Sequence, residues 1–311
     1  MLYFPFSEAT PADIGVGLTE LYMTHLGYSW KMNAECLVSS LKDSHPDFLY
    51  DGKPTSGAGL VAAEASGSLI PSCRRYKMVG RAKNKYTNQV QGFVGPPQKG
   101  QSMPILHGYA IAFGHQLGTS NSWLCIHETD HTASTKAHAK ANSPVPKVDG
   151  PNVSILQRAF LETFHANLFL MGYTKLRKWT GFLLGQNRRP KDEVLSFDYI
   201  EVDGTRLYVP FISLFRLQPV IPVFRRHSFF VGLNGKVFEG CLNHLSELIE
   251  RPADDFENRI QIYETTFLPM PDKPNIWAQF PDGLTAFDHK VFSGRRGHSV
   301  RWSVSNGLRL A

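Results

Sequence analysis

One acidic residue stands inside an apolar run of this chain. Glu64 follows Leu60-Val-Ala-Ala63 and precedes Ala65, a short segment that predicts a β-strand buried on both faces. A buried carboxylate without a partner costs several kcal/mol. Glu64 therefore needs a lysine, a metal ion or a route to solvent, and this requirement constrains both the strand and whatever packs on it.

A second acid precedes this strand. Pro46-Asp47 begins a short predicted strand, 46–50, and the turn-rich insert 51–59, with three glycines and one proline, leads back to Glu64. Such a hairpin delivers two carboxylates to one edge of a sheet, and carboxylates suit Mg²⁺ or Mn²⁺. A Pro-Asp dipeptide alone is common and could simply cap a turn. The pair predicts a metal site, unless the two side chains lie on opposite sides of the sheet or more than about 8–10 Å apart with no room for an ion between them.

The string Pro46-Asp47-Phe-Leu-Tyr50, followed after a gap by Gly59-Leu-Val-Ala-Ala-Glu64-Ala-Ser66, resembles the signature of the PD-(D/E)XK nuclease-like superfamily. The likeness covers roughly residues 10–130. It implies an α/β fold of the restriction-endonuclease-like type, a mixed central sheet flanked by helices.

The same resemblance implies a DNA endonuclease that depends on Mg²⁺ (or Mn²⁺) and acts in bacterial or phage-related DNA defence or processing. Asp47 and Glu64 would be metal ligands, Glu20 on the first helix matches an outer ligand of some members, and the Ala65 carbonyl could be a further ligand. Metal held by carboxylates would stabilise charge on the phosphorus and help to activate water.

The chain departs from this pattern at one position. Where the family has a lysine two residues after the glutamate, this chain has Ser66, whose neutral hydroxyl cannot serve as the base. Lys83 or Lys85 of the following helix could reach the site, as migrated lysines do in some relatives, or Tyr76 or Gln89 could position the water. Otherwise the chain is a catalytically inactive nuclease-fold subunit that binds nucleic acid or a protein partner, or a protein-binding module with no nucleic-acid role.

The segment after the Glu64 strand is basic. It carries two tyrosines and fits a nucleic-acid surface, with cations for phosphates and rings for stacking; it fits a plain exposed helix equally well. The net charge of +6 and the pI near 9.1 permit a polyanionic partner without demanding one. The candidate nucleic-acid-binding residues are Arg74, Arg75, Lys77, Arg81, Lys83 and Lys85.

Cysteine spacing and hydropathy indicate the cellular compartment. The four cysteines lie far apart in sequence, so neither a disulfide framework nor a zinc finger is expected. We find no signal peptide and no apolar run of the roughly 18–20 residues that a membrane helix needs. We expect a cytoplasmic protein with no membrane partner. His127, His131 and His138 cluster loosely, and we interpret them as loop or hairpin-tip residues.

The spacing of apolar residues and the change of composition along the chain predict the domain boundary, the helices and the strands. The stretch Gln186–Lys191, after which β-prone segments predominate, marks the predicted boundary between a nuclease-like α/β domain, 1–187, and an accessory α+β or β-rich domain, 188–311. Pro281-Asp282 echoes the Pro46-Asp47 dipeptide, but we interpret it as a structural turn. Predicted helices span 10–27, 79–90, 155–172, 176–184 and 237–249, and predicted strands span 28–37, 46–50, 59–65, 107–115, 122–129, 197–202, 206–211, 229–233 and 277–280.

Overall fold

The computed structural model divides the chain into two compact units, Met1–Lys147 and Val148–Ala311. It is a mixed α/β protein: the described residues form five α-helices and two sheets, one mixed and one antiparallel. The described residues are 10–38, 40, 42–51, 59–96, 104–130, 153–209, 229–250, 274–280, 282–288, 298–305 and 307–310. None of their helices is long and apolar enough to cross a membrane.

The first unit opens with helix α1, Pro11–His25, as the sequence predicts. Thr10 caps its N-terminus: the Thr10 hydroxyl accepts from the Asp13 N–H, and the Asp13 carboxylate accepts from the Thr10 N–H. Pro11 occupies the first turn, where its missing N–H costs nothing. The helix ends before Gly27, whose φ of 93° suits glycine.

Five strands form the sheet of the first unit in the order β1-β2-β3-β4-β5. Strands β3 and β4 are parallel, and the other neighbours are antiparallel. Helix α2, Arg75–Lys85, lies in the crossover from β3 to β4 and continues as a π-helical turn, Tyr86–Val90. The strands are β1 Trp30–Asn33, β2 Phe48–Asp51, β3 Leu60–Leu69, β4 Ile105–His115 and β5 Ser122–Glu128.

Helix α1 packs on one face of this sheet. Met23, Val61, Tyr50 and Ile111 belong to one buried cluster on that face. The contact with β3 is close, because a Cβ added to Gly67 would lie 1.6 Å from the Pro11 carbonyl oxygen. Glycine is therefore required there, and the odd-numbered residues of β3 face α1.

Helix α2 packs on the opposite face, where β4 presents small side chains at alternate positions from 108 to 114. These are Gly108, Ala110, Ala112 and Gly114. A Cβ at Gly108 would lie 2.3 Å from Val90 Cγ1, and one at Gly114 would lie 2.5 Å from Met78 Sδ. The small residues let α2 and its π-helical turn approach the sheet, and α2 runs antiparallel to β4 because Met78 lies at the end of β4 and Val90 near its start.

The second unit is an antiparallel seven-stranded sheet with three helices. The strand order is β12-β11-β6-β7-β8-β10-β9, and one buried cluster lines β6, β7, β9 and β10. The helices are α3 Ile155–Leu170, α4 Thr174–Leu183 and α5 Gly235–Glu250; the strands are β6 Leu195–Val202, β7 Thr205–Tyr208, β8 Phe229–Asn234, β9 Ile276–Gln279, β10 Leu284–Asp288, β11 His298–Ser303 and β12 Gly307–Leu310.

Several bounds differ from the sequence predictions. The two compact units meet at Lys147/Val148, and α3 and α4 belong to the second unit, whereas the predicted boundary at 187/188 falls between α4 and β6. The predicted strand 28–37 is shorter, because Asn33 accepts from the Glu35 N–H and starts a 3₁₀ turn, Ala34–Leu37. Strand β10 has no counterpart among the predicted strands, and β11 and β12 begin in the terminal stretch 295–309, whose alternation of basic and apolar residues is compatible with an edge strand. The first unit otherwise follows the predicted order of helix, three strands, helix and strand.

Candidate functional site

Asp47 and Glu64 lie on the same face of the sheet. Phe48 pairs with Ala63 in the antiparallel β2–β3 register, and one further step along that register places Asp47 opposite Glu64. The Asp47 carboxylate accepts a hydrogen bond of 2.9 Å from the Ala65 N–H. The arrangement that would break the metal-site prediction, with the two side chains on opposite sides, is therefore not found.

The Glu64 carboxylate is deeply buried, with 1% of its side chain exposed. Desolvation and the nearby Asp47 carboxylate raise the pKa of Glu64 to about 7, although Lys85 opposes the shift. Lys85 Nζ lies 2.6 Å from Glu64 Oε1. The other oxygen, Oε2, is buried with no hydrogen-bond partner. Of the three partners that the sequence allowed for this acid, the described structure holds the lysine.

The fold brings Lys85 to this position by two local features. The small residues of β4 let α2 lie close to the sheet, and the helix changes to π geometry at Tyr86, directly after Lys85. The π-helical turn is also tied to the loop that carries Asp47: Ser44 Oγ donates to the Asn88 carbonyl, and Gln89 Nε2 donates to the His45 carbonyl. The elements that present Asp47 and Lys85 are thus joined to each other. Single-turn π segments of this kind are frequent at functional sites.

The remaining candidates around the motif are placed differently. Ser66 lies on the same face as Glu64, and its Oγ is buried with no partner. Lys83 lies on the exposed side of α2, and no ion pair of the described residues includes it. Gln89 is bound to the loop at His45. The structure thus brings together Asp47, Glu64 and Lys85 with Ser66 beside them, and it leaves Lys83 on the surface.

Glu20 belongs to a separate network. Its Oε2 accepts from Lys31 Nζ and from the Tyr50 hydroxyl, the latter at 2.9 Å. Within the described ranges, no group of three or more His, Cys, Asp or Glu side chains is placed to hold a metal ion. Asp47 and Glu64 are therefore the two side chains that could bind a cation here, and Glu20 is not grouped with them.

The surface above this pair is strongly basic. The sequence has no Asp or Glu between Glu64 and Glu128, and helix α2 carries cations on its solvent side. Tyr76 is 71% exposed and available for stacking, whereas Tyr86 is buried and bonded to Thr129, so it cannot stack on a base. The exposed cations of α2 and of its N-cap residue are Arg74, Arg75, Lys77 and Lys83; Arg81 and Lys85 are half-buried.

The structure bears on two further interpretations of the sequence, the turn at Asp282 and the group of three histidines. Asp282 accepts from the Leu284 N–H and from Asn167 Nδ2, which is the structural turn that we expected. His127 lies on β5 with its ring 4.7 Å from that of Tyr86. His131 and His138 lie outside the described residues.

No protein-family model matches the chain, and neither the curated proteins nor the solved structures compared with it give a match. The nuclease resemblance therefore remains a prediction from residues and spacing. Any function proposed for the chain rests on the geometry around Asp47 and Glu64.

Proposed function

We propose that this chain is a metal-dependent nucleic-acid phosphodiesterase, a DNA endonuclease-like protein with its site in the first unit. The observation that carries the proposal is the convergence of Asp47, Glu64 and Lys85 at one place on the sheet, with Lys85 Nζ 2.6 Å from Glu64. Two acids and one lysine are the charges that the resemblance requires, although the lysine comes from α2 and not from β3.

The donor set fits a hard divalent cation. Glu64 Oε2 is buried and unpartnered, and burial together with the neighbouring Asp47 carboxylate raises the pKa of Glu64, as expected for two acids held close together in a buried site. Asp47 and Glu64 would hold Mg²⁺ or Mn²⁺, with the Ala65 carbonyl as a further oxygen. The ion, when bound, would supply Lewis-acid stabilisation of the phosphoryl oxygens.

The protein's own groups would orient the substrate and offset its charge. Lys85 Nζ is held beside the acids by its ion pair with the buried Glu64 carboxylate and would face the phosphate as a fixed positive charge. The Asp47 carboxylate is oriented by the Ala65 N–H. The acid-free surface of α2 would attract the nucleic-acid backbone.

A specific observation also favours a second function. In the described structure Lys85 already neutralises Glu64, and Asp47 already accepts a backbone hydrogen bond. The same residues could thus stabilise a nuclease-fold subunit that binds DNA through α2 and does not cut it. In that case the Lys85 ammonium would occupy the place of the cation.

One experiment separates the two functions. The purified full chain is incubated with single- and double-stranded DNA and Mg²⁺, Mn²⁺ or Ca²⁺, beside Asp47→Asn and the control Asp43→Asn, which removes an exposed acid from the same loop. We expect cutting with Mg²⁺ or Mn²⁺ that Asp47→Asn loses and Asp43→Asn keeps. Salt-sensitive binding without cutting would support the second function, and neither binding nor cutting would exclude both.

A further inference from the structure

Tyr76 on helix α2 presents an aromatic ring to solvent. It is 71% exposed, more than any other large hydrophobic side chain of the described residues, and Val79, one turn further along the helix, is 51% exposed. Among the described residues, no hydrogen bond, ring contact or cation contact involves Tyr76. The exposed ring of Phe169 in the second unit differs, because the Arg177 guanidinium lies over it, 4.7 Å from its centroid. The Tyr76 ring is therefore available to a partner outside the chain.

The surroundings of the Tyr76 ring are cationic. Arg75 and Lys77 are its neighbours in the helix and are exposed, and no ion pair of the described residues includes either of them. The sequence has no Asp or Glu between Glu64 and Glu128. An apolar protein surface that covered this ring would leave the cations desolvated and unpaired, which costs free energy. Charge complementarity therefore favours a polyanion as the partner.

A row of three cations connects the ring with the candidate site. Lys77, Arg81 and Lys85 are four residues apart, so their side chains follow one side of α2; we call them the basic row. At one end of the row, Lys85 Nζ lies 2.6 Å from Glu64 Oε1. At the other end, Lys77 is next to Tyr76, which lies about 13.5 Å along the helix axis from Lys85. The helix thus offers phosphate ligands from the acid pair to the exposed ring.

An exposed ring among cations suits a single strand better than a duplex. The bases of a duplex are stacked on one another, so a helix on its surface meets phosphates, sugars and base edges. An unpaired base instead offers its whole face, and stacking of that face on an aromatic ring adds affinity for any base. Positive charge alone would serve a duplex. The exposed ring of Tyr76 and the apolar Val79 beside it indicate that the bound segment is unpaired.

We propose that α2 binds an unpaired segment of nucleic acid, with Tyr76 stacked on one base and the basic row on the phosphates that lead to the Asp47–Glu64 pair. This inference rests on the proposed function and narrows its substrate to a single strand, or to a duplex with a single-stranded extension. The stacked base lies away from the reacting phosphate, so Tyr76 contributes to substrate binding and takes no part in the chemical step.

The test measures binding to variants of the full chain, with Ca²⁺ in place of Mg²⁺. Fluorescence anisotropy gives the affinity for a fluorescein-labelled single strand, for the same strand with abasic sites, and for the duplex of the same sequence. Tyr76→Ala and Tyr76→Gln remove the ring and keep good helix formers at an exposed position, whereas Tyr76→Phe keeps the ring and removes the hydroxyl. Phe169→Ala is the matched control, because it removes an exposed ring from another helix.

We expect Tyr76→Ala and Tyr76→Gln to weaken single-strand binding about 5-fold or more, which is the contribution of one stacked base. Duplex binding should change less than about twofold, since the phosphate contacts remain. Tyr76→Phe and Phe169→Ala should bind like the wild type. Abasic sites should weaken binding to the wild type more than binding to Tyr76→Ala, because the ring and the base are partners in one contact.

The basic row is tested by a second pair of variants. Lys77→Gln should weaken binding of all three nucleic acids and lower its salt dependence, because it removes a phosphate contact. Lys178→Gln, which removes an exposed cation from α4 in the second unit, should leave both unchanged. Equal behaviour of the two variants would reject the basic row as the path of the strand.

Other outcomes would overturn the stacking contact. Equal losses for single strand and duplex, or a Tyr76→Phe variant as weak as Tyr76→Ala, would show that the tyrosine hydroxyl contacts phosphate. Single-strand binding that Tyr76→Ala leaves unchanged would assign the ring to a protein partner. Failure of the proposed function gives a different result, namely no cleavage of any of the three nucleic acids by the wild type with Mg²⁺ or Mn²⁺. The contact at Tyr76 is then still decided by the binding data in Ca²⁺.

Discussion

Two glutamates of this chain each meet a cation at close range, one in each unit, yet their surroundings differ. Glu64 in the first unit is almost fully buried; it binds Lys85 through one oxygen, and its other oxygen has no partner. Glu239 on α5 of the second unit is 26% exposed, and its Oε1 accepts from both Arg206 Nη1 and the Tyr208 hydroxyl at 2.7 Å.

The difference separates a structural network from a functional candidate. A carboxylate with a cation and a tyrosine hydroxyl also occurs at Glu20, which binds Lys31 and Tyr50. Such a set neutralises the charge and gives the acid two donors, so that nothing further is required. Glu64 instead retains an unpartnered oxygen beside a second acid. Each of these sites pairs a glutamate with a cationic side chain, so the sequence alone would not have distinguished them. The buried Glu64 oxygen without a hydrogen-bond partner does distinguish them.

The strongest test of this comparison exchanges each glutamate for its neutral amide. We expect Glu64→Gln to lower Mn²⁺-dependent DNA cleavage on the order of 10³-fold, because a metal ligand contributes several kcal/mol to transition-state stabilisation. Glu239→Gln should leave the rate unchanged and lower the free energy of unfolding by about 1–2 kcal/mol, since it weakens two hydrogen bonds to a charged group. Rate assays and urea unfolding measure both effects, and equal rates for the two variants would remove the distinction.

The second test moves the lysine. Lys85→Ser should lower the cleavage rate about 100-fold, because one fixed charge at the phosphate is lost. The double variant Lys85→Ser/Ser66→Lys places the lysine where the family motif has it, and we expect it to recover about 10-fold of that loss. Single-turnover rates of both variants, with Lys83→Ser as the control, measure the effect. A Lys85→Ser variant that cuts as fast as the wild type would show that Lys85 only neutralises Glu64.

The sequence predicted much of the first unit because its signals are local. Thr10 and Pro11 mark the start of α1, and the apolar run around Glu64 predicts a strand buried on both faces, which the structure confirms. The choice between Lys83 and Lys85 could not be made from sequence, since it depends on the rotational phase of α2. That helix starts at Arg75, earlier than predicted, and passes into π geometry at Tyr86.

The position of the domain boundary and the small-residue face of β4 depend on packing between distant segments. The composition change near Gln186–Lys191 marks a change from helices to strands, while α3 and α4 belong with the strands that follow them. The alternation of Gly108, Ala110, Ala112 and Gly114 was visible in the sequence and indicates a helix at close range, but not which helix. The unpartnered atoms of Glu64 and Ser66 appear only once the side chains are placed.

The third test asks how the second unit responds to acid. His244 on α5 is buried against Phe160, and burial lowers its pKa to about 4. Because the unfolded chain protonates this histidine near its ordinary pKa of about 6.5, the unfolded state binds more protons as the pH falls from about 6.5 to about 4. Stability should therefore decrease across that window by up to about 3 kcal/mol and should not depend on His244 above it.

The variant His244→Phe isolates this contribution. Urea unfolding of the full chain at pH 7 and at pH 4.5 should show a smaller loss of stability for His244→Phe than for the wild type, since phenylalanine cannot take up a proton. Glu247 Oε2 lies 3.9 Å from His244 Nδ1 and could favour the charged ring, so Glu247→Gln should increase the loss in the wild-type background. Equal losses for the wild type and His244→Phe would assign the acid sensitivity to other groups.

The smallest effects are expected at two glycines, Gly108 at the interface between β4 and the helix and Gly80 on the exposed surface of α2. A Cβ at Gly108 would lie 2.3 Å from Val90 Cγ1 and 3.0 Å from Val94 Cγ2, whereas a Cβ at Gly80 would meet nothing within 4 Å. Gly108→Ala should destabilise the protein by about 1–3 kcal/mol through overpacking, and Gly80→Ala should stabilise it by about 0.5–1 kcal/mol through helix propensity. Because Val90 ends the π-helical turn that follows Lys85, Gly108→Ala should also slow cleavage, while Gly80→Ala should not. Unfolding midpoints and cleavage rates of the two variants check this pair, and a Gly108→Ala protein as stable as the wild type would contradict the close approach of α2 to β4.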